Sequence, residues 1–209
     1  MHINLKQTAS ALAIVLAVVT AISAQQNSKA SQVRVIKFQG DMAALLATLA
    51  QEYDMVIGLE ADPKKPRSVV TLDLHDVTFH DMLNGIVQSE PRYQWRENGG
   101  CIEVFPVSGG LSLLDTPIGS FQVTEVNRDL AINRLLGLPE VRAQSLSMNL
   151  KPRPPYPPSE RTKDEKLSLN VSGVTLRQAL NRIAQDSGAK FWVFRRYDDG
   201  TFEITLSCC

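Results

Sequence analysis

Short stretches with alternating apolar and polar residues occur in both halves of the chain, each followed by a helical pattern. Leu72 and Leu74 in the first half, and Leu169 and Val171 in the second, are two residues apart. This spacing is typical of a strand with one buried face. The residues that follow repeat their apolar positions every three or four residues, which is typical of an amphipathic helix. The pattern therefore predicts an α+β fold.

The two halves form an internal repeat with an offset of 97 residues. The offset aligns Val77 with Val174, and it still holds at Trp95 and Trp192. In the helices between them it aligns Leu83, Asn84, Ile86 and Gln88 with Leu180, Asn181, Ile183 and Gln185. Because one register persists through strand, helix and the next strand, the sequence predicts two tandem modules of the same kind.

Each module is predicted to run strand, helix, strand, strand, helix and hairpin, with small mixed or antiparallel sheets. In the first, strands are expected at 33–38, 55–59 and 72–74, helices after Asp41 and Thr78, and a hairpin at 93–105. In the second, strands are expected at 121–126 and 167–171, a helix from Asn127 or Asp129 stopped by Gly137 and Pro139, a helix after Thr175, and a hairpin at 190–206. Thr78 with Asp81, and Thr175 with Gln178, resemble capping boxes.

The N-terminal segment is predicted to be a signal peptide spanning residues 1–24, followed by a polar tail at 25–32. Lys6 precedes the uncharged stretch 9–24, which is shorter than the roughly 20 residues of a membrane-spanning helix. Small residues at Ser23 and Ala24 suit signal peptidase. An uncleaved anchor is the alternative. We therefore expect a bacterial protein that is periplasmic or secreted, without stable membrane insertion after cleavage.

The remaining boundaries follow from composition. The first module is expected at 33–107, a linker at 108–120 and the second module at 121–207. A proline-rich and charged loop is expected at 151–166, because proline at this density is incompatible with a sheet interior. A proline-rich ligand for a partner is the alternative interpretation of this loop. Lysine plus arginine and aspartate plus glutamate number 22 each, so no nucleic-acid partner is expected.

Candidate chemistry is sparse. Cys101, Cys208 and Cys209 are the three cysteines, and either a bridge from Cys101 to one of the others or free thiols fit the odd count. His75 and His80, each beside an aspartate, match no familiar zinc spacing. No nucleophile motif or phosphate loop occurs. We therefore expect no catalytic, metal or cofactor-binding residues, with an envelope hydrolase or metal-dependent enzyme on an unfamiliar scaffold as the alternative.

The equivalent tryptophans, Trp95 and Trp192, are the candidate partner contacts. An exposed pair would supply aromatic surface for a protein partner or, as a second alternative function, for a glycan of the cell wall. Burial of each indole over its own helix is the competing interpretation, since tryptophan has a large apolar area.

The first half resembles the short N-terminal domain of secretins and TonB-dependent receptors. The resemblance covers residues 33–106, through the stretches 35–38, 41–53, 55–58, 69–74 and 77–83 and the hairpin, and the second half resembles a diverged copy. It implies two helices flanked by two small sheets, a role in binding partner proteins in the periplasm, and no catalytic residues. Because no channel or barrel sequence is recognised after the modules, we expect a free-standing adaptor or scaffold that binds an unidentified envelope protein. Open sheet edges at 33–38 and 201–206 suggest binding by strand addition.

Overall fold

The computed structural model describes residues 34–65, 67–108, 112–153 and 166–207. Its strands are β1 (Arg34–Asp41), β2 (Val56–Glu60), β3 (Val69–Val77), β4 (Tyr93–Asn98), β5 (Cys101–Pro106), β6 (Pro117–Val126), β7 (Lys151–Pro152), β8 (Leu167–Thr175), β9 (Phe191–Arg196) and β10 (Thr201–Ser207). Its helices are α1 (Met42–Glu52), α2 (Phe79–Ser89), α3 (Arg128–Leu136), α4 (Pro139–Ser147) and α5 (Leu176–Asp186). The α+β prediction is confirmed. The predicted signal peptide and polar tail, and residues 154–165 of the proline-rich loop, lie outside the described residues.

The predicted caps start the corresponding helices. Asp41 accepts a hydrogen bond from Ala43 N at 2.7 Å before α1. Thr78 before α2 and Thr175 before α5 each form a complete capping box with the residue three positions later. Each box satisfies two backbone donors that the first helical turn leaves unpaired. Both helices therefore begin at equivalent positions of the repeat.

A six-stranded sheet with the order β4-β5-β2-β9-β10-β7 joins the two halves. Strand β2 pairs in parallel with β5 of its own half and in parallel with β9 of the other half. The hairpins of the two halves, expected in separate small sheets, therefore belong to one sheet. The β1–β3 and β6–β8 pairs remain separate two-stranded antiparallel sheets.

The strand connectivity of the first half recurs in the second. In the first half β5 lies between its hairpin partner β4 and the parallel strand β2. In the second half β10 lies between its hairpin partner β9 and the parallel strand β7. The two-residue strand β7 is thus the counterpart of β2.

Two features, one in the expected linker and one in the second half, differ from the predictions. Gly137 caps α3 as expected, but Pro139 then opens a further helix, α4, as its first residue. Proline suits that position because the N–H it lacks would have no intrahelical partner. The expected linker at 108–120 is also structured in part. Leu113 and Leu114 form a short 3-10 helix and are fully buried, and β6 already begins at Pro117.

The helices of the two halves cover opposite faces of the large sheet. Neighbouring residues of β2 and β9 belong to different core clusters, since successive side chains of a strand point to opposite faces. One cluster joins α1 and α2 to Ile57, Leu59, Phe191 and Val193. The other joins α3 and α5 to Val56, Trp192, Phe194 and Phe202. Each half therefore completes its core with strands of the other half.

A buried polar network also crosses between the halves. Glu103 on β5 has no exposed surface and accepts hydrogen bonds from Arg96 Nε at 2.6 Å and from Asn181 Nδ2 at 3.0 Å. Asn181 lies on α5 and accepts in turn from the indole N–H of Trp192 at 2.8 Å. A buried carboxylate is tolerated when its oxygens have such partners. The network therefore fixes α5 against the first half of the sheet.

Candidate strand-accepting edge

Strand β4 forms one outer edge of the large sheet, and no strand of the described residues pairs with its outer side. Its register against β5 is set by a two-residue turn, in which Asn98 pairs with Cys101 across Gly99 and Gly100. The φ angles of these glycines are +60° and +74°, which suit the tight turns that join twisted strands. The turn therefore determines which backbone groups of β4 point toward β5.

The outward groups of β4 are those of its odd-numbered residues. Arg92 O accepts from Val107 N at 2.8 Å, so this even-numbered position faces the β5 side. Backbone groups alternate in direction along a strand. The carbonyls of Tyr93, Trp95 and Glu97 therefore point away from the sheet, as do the N–H groups of Trp95 and Glu97.

The equivalent edge in the second half is occupied. Strand β9 is the counterpart of β4, and its outer side binds β2 in parallel. The carbonyls of Lys190 and Phe194 accept hydrogen bonds, each of 2.9 Å, from N–H groups of β2 and of the residue that follows it. At the offset of 97 residues their counterparts on β4 are the outward carbonyls of Tyr93 and Glu97. The chain therefore contains a bound example of the interaction that β4 leaves open.

The two tryptophans lie at these edges in matching environments. The indole N–H of Trp95 donates to Asn84 Oδ1 at 3.0 Å, and that of Trp192 donates to Asn181 Oδ1 at 2.8 Å. Both asparagines lie at the same position of the repeated helix. The repeat therefore preserves a tryptophan–asparagine pair that fixes the indole, and only the covering of the indole differs between the halves.

Gly58 of β2 lies directly against the Trp192 indole. The residues are neighbours in the β2–β9 register. A Cβ atom added at Gly58 would lie 2.2 Å from Cζ2 of that indole, far inside contact distance. Glycine in the middle of a strand often marks such a close approach. The absence of a side chain at Gly58 is therefore what allows β2 to cover Trp192.

Different charges surround the two edges. His80 stacks on Trp95 with the ring centroids 5.4 Å apart, and its Nε2 lies 3.8 Å from a carboxylate oxygen of Glu97. In the second half, Arg177 replaces His80 and Phe194 replaces Glu97. Arg177 is buried and donates to Glu60, the last residue of β2. At the β9 edge, Arg177 therefore binds an acidic residue of the added strand, Glu60. At the β4 edge, the acidic residue Glu97 belongs to the edge strand.

The structure corrects one of the two predicted partner contacts. Trp192 has no exposed surface, because β2 and α5 cover it, so it cannot contact a partner. Trp95 is partly exposed on the open edge, and its role stays a prediction. Of the predicted edge 201–206, only the start is occupied, since Thr201 and Phe202 lie between β9 and β7, whereas residues 203–206 have no outer strand partner among the described residues. Strand β1 pairs only with β3 among the described residues and keeps one open side.

The opposite end of the large sheet is formed by β7. The N–H of Lys151 donates to the carbonyl of Gly200, just before β10, at 2.9 Å, and the N–H of Arg153 donates to Phe202 of β10 at 2.8 Å. Pro152 between them therefore faces outward, and it has no N–H to offer another strand. Proline at an outer strand is a common protection against edge pairing. Of the two outer strands, β4 is thus the better acceptor.

A cavity of about 570 Å³ lies at the junction of the halves, beside the last residue of β2. Its lining includes Arg177, Arg196, Lys64, Glu60 and Asp115. Nε and Nη1 of Arg177 have no hydrogen-bond partner among the described residues, while its Nη2 contacts both carboxylates. The cavity thus combines both signs of charge around an ion pair that links β2 to α5.

The two histidines considered for metal binding are separate in their contacts. His75 Nε2 lies 3.0 Å from Asp73 Oδ1, whereas His80 contacts Glu97 and Trp95. Both side chains are about half exposed. Within the described part of the chain, no group of three or more histidine, cysteine or acidic side chains is arranged to hold a metal ion.

Cys101 begins β5 and is buried without a disulfide partner among the described residues, while Cys208 and Cys209 lie outside those residues. Burial, with a smaller contribution from the carboxylate of Glu103, raises the pKa of the Cys101 thiol to about 11. Since the thiolate is the reactive form, this thiol is protected by both burial and protonation. The bridge between Cys101 and the C-terminal cysteines stays a prediction.

We expect Cys101 to react with a thiol reagent only after unfolding. In a variant carrying Cys208→Ser and Cys209→Ser, Ellman's reagent at pH 8 should detect no thiol in the native protein and one in urea. Above about pH 8.5, where an exposed thiol ionises, the unfolded state loses the proton first. The free energy of unfolding should therefore fall between that pH and about 11, and fall less in Cys101→Ala. Rapid labelling of the native variant would contradict the burial.

Comparison with known proteins leaves the family open. No protein-family model matches the chain, and no curated protein is significantly similar to it. The resemblance to the secretin and TonB-receptor domain therefore stays a prediction. None of the described helices combines the length and apolar character needed to cross a bilayer.

Proposed function

We propose that this chain is an exported, non-enzymatic protein that binds a partner protein in the cell envelope by accepting a partner strand on the outer side of β4. The observation that carries the proposal is the occupied counterpart of this edge, where β2 adds to β9 in parallel. Export rests on the predicted signal peptide, and an envelope adaptor or scaffold is the role that the family resemblance implies.

Several properties of β4 support binding at this edge. The strand is six residues long, and its outward backbone groups at Trp95 and Glu97 match positions that hold β2 in the other half. Main-chain hydrogen bonds give such strand addition its affinity, and side-chain pockets give it specificity. The partly exposed Trp95, fixed by Asn84 and His80, supplies the aromatic surface that recognition sites often use.

Two substitutions at one position test the role of the backbone. Glu97→Pro removes an outward N–H that β5 does not use, and proline is tolerated on edge strands. Glu97→Ala removes the same side chain but keeps the N–H. We expect Glu97→Pro to lower capture of the partner from envelope extracts by roughly tenfold or more relative to Glu97→Ala, because strand addition loses a main-chain bond and meets the proline ring.

The comparison requires that both variants unfold at similar urea concentrations. Urea unfolding followed by circular dichroism measures this. Equal capture by two well-folded variants would overturn strand addition at β4. Equal loss in both would assign binding to the Glu97 carboxylate instead, which would also overturn the backbone mechanism.

A further inference from the structure

We propose that the β4 edge selects an extended protein segment that runs parallel to β4, carries glycine opposite Trp95, and carries lysine or arginine two residues later. This inference rests on the proposed function and specifies its partner. The occupied counterpart gives the register, since β2 places Gly58 opposite Trp192 and Glu60 opposite Phe194. At β4 the corresponding positions are Trp95 and Glu97.

The glycine requirement follows from the position of the Trp95 indole. Its hydrogen bond to Asn84 matches the bond that holds Trp192 over Gly58, and the His80 ring stacks on it. A strand added to β4 as β2 is added to β9 therefore approaches the indole as closely as Gly58 does. A Cβ atom at that position would then meet the Trp95 ring as a Cβ atom added at Gly58 would meet Trp192, at well under contact distance. Only glycine leaves both the indole and the strand in place.

The charge requirement follows from the residues that differ between the halves. Glu60 is held at the β9 edge by buried Arg177 and lies opposite the neutral Phe194. At β4 the position opposite is occupied by Glu97, whose side chain is 51% exposed. Like charges directly opposite each other on neighbouring strands are destabilising, and opposite charges are stabilising. A basic residue of the added strand therefore suits the position opposite Glu97, which also lies near His80.

The same comparison argues against a second copy of this chain as the partner. Its β2 has the required glycine but would place Glu60 opposite Glu97. That strand is also already paired on both sides, with β5 and β9. At the other end of the large sheet, the outer strand β7 offers Pro152 at its outward position. The edge thus favours a different protein over continued sheet growth between copies.

Three synthetic peptides test the selection by fluorescence anisotropy. The first has the sequence of residues 55–61 with Glu60→Lys, the second is the unchanged segment, and the third adds Gly58→Val to the first. We expect the first to bind best. The second should bind roughly tenfold more weakly through charge repulsion. The third should bind weaker by roughly tenfold or more because its side chain meets Trp95.

Two variants of the full chain show whether the named residues cause these preferences. Trp95→Ala should abolish the difference between the glycine and valine peptides while leaving the charge preference. Glu97→Ala should abolish the difference between the lysine and glutamate peptides while leaving the glycine preference. Each variant is thus the control for the other, and a general loss of folding would remove both preferences together.

The outcomes separate this inference from the proposed function. Equal binding of all three peptides to the unaltered protein, with Glu97→Pro still weakening it, would overturn the selection but retain strand addition. Strongest binding of the unchanged segment would overturn the charge requirement. Binding of none of the peptides, together with full partner capture by Glu97→Pro, would overturn both.

Discussion

Replacing Gly58 with alanine is expected to destabilise the protein by about 3 kcal/mol or more, the upper range for overpacking a well-packed core. The added Cβ would lie 2.2 and 2.3 Å from two indole carbons of Trp192. Trp192 has no exposed surface and cannot swing into solvent. The substitution must therefore separate β2 from β9, which are the strands that join the two halves. The midpoint of urea unfolding measures the loss.

Gly119→Ala is the matched control for this substitution. Gly119 also lies within a strand, β6, but a Cβ atom there would meet nothing within 4 Å. Alanine restricts the unfolded chain more than glycine does, so this variant should be neutral or more stable by up to about 1 kcal/mol. Similar losses in both variants would mean that the β2–β9 contact is looser than described.

A second test of the contact uses a double variant. Adding Trp192→Ala to Gly58→Ala removes the ring that the new methyl group meets. The loss in the double variant should therefore be smaller than the sum of the two single losses by at least about 1 kcal/mol, as is found for residues in direct contact. Additive losses would show that the two residues act independently.

The position of Gly58 also shows what the sequence could and could not predict. Caps, hairpins and the repeat depend on neighbouring residues, so Thr78, Thr175 and the register from Val77 to Trp95 were predictable. Pairing between β2 and β9 joins residues more than 130 positions apart. No local pattern specifies such a partner. For this reason the sequence predicted two modules but not their shared sheet.

A usable signal for the shared sheet was nevertheless present. The first four residues of β2, and likewise those of β9, are all buried, whereas β8 begins with alternating buried and exposed residues. Continuous apolar runs are typical of strands covered on both faces. The run 191–194, together with a glycine inside the apolar run 56–59, indicated central strands and a close approach between them. The fully buried Trp192 follows from the same arrangement.

The helix α4 was missed for a different reason. Proline after Gly137 was interpreted as a continued break, although proline is also favoured as the first residue of a helix. Its residues have few apolar positions, with only Val141 and Ser145 buried, so periodicity gave little indication. The difference between the two tryptophan sites was also not predictable from the sequence. Trp95 and Trp192 were predicted to be equivalent, and only the β2 pairing distinguishes the covered indole from the open one.

Replacing Trp192 with alanine is expected to cost about 3–5 kcal/mol, the usual range for removing a large aromatic side chain from a core. The indole contributes to the core cluster that includes Phe194, Phe202 and residues of α5. Its removal would leave a cavity between the sheet and that helix. It would also leave Asn181 Oδ1 without its donor in a buried position. Urea unfolding of both proteins measures the difference in the free energy of unfolding, provided that this free energy falls equally steeply with urea concentration in the two.

Trp95→Ala is the matched control, since both substitutions remove an indole bonded to the same asparagine of the repeat. Trp95 is only partly buried, and its asparagine partner is exposed to water that can replace the lost hydrogen bond. We therefore expect a loss of about 1 kcal/mol, within the range of most single substitutions. The two variants should thus differ by at least about 2 kcal/mol. Equal losses would mean that the β4 edge is covered as fully as the β9 edge, and the free edge on which binding at β4 depends would not exist.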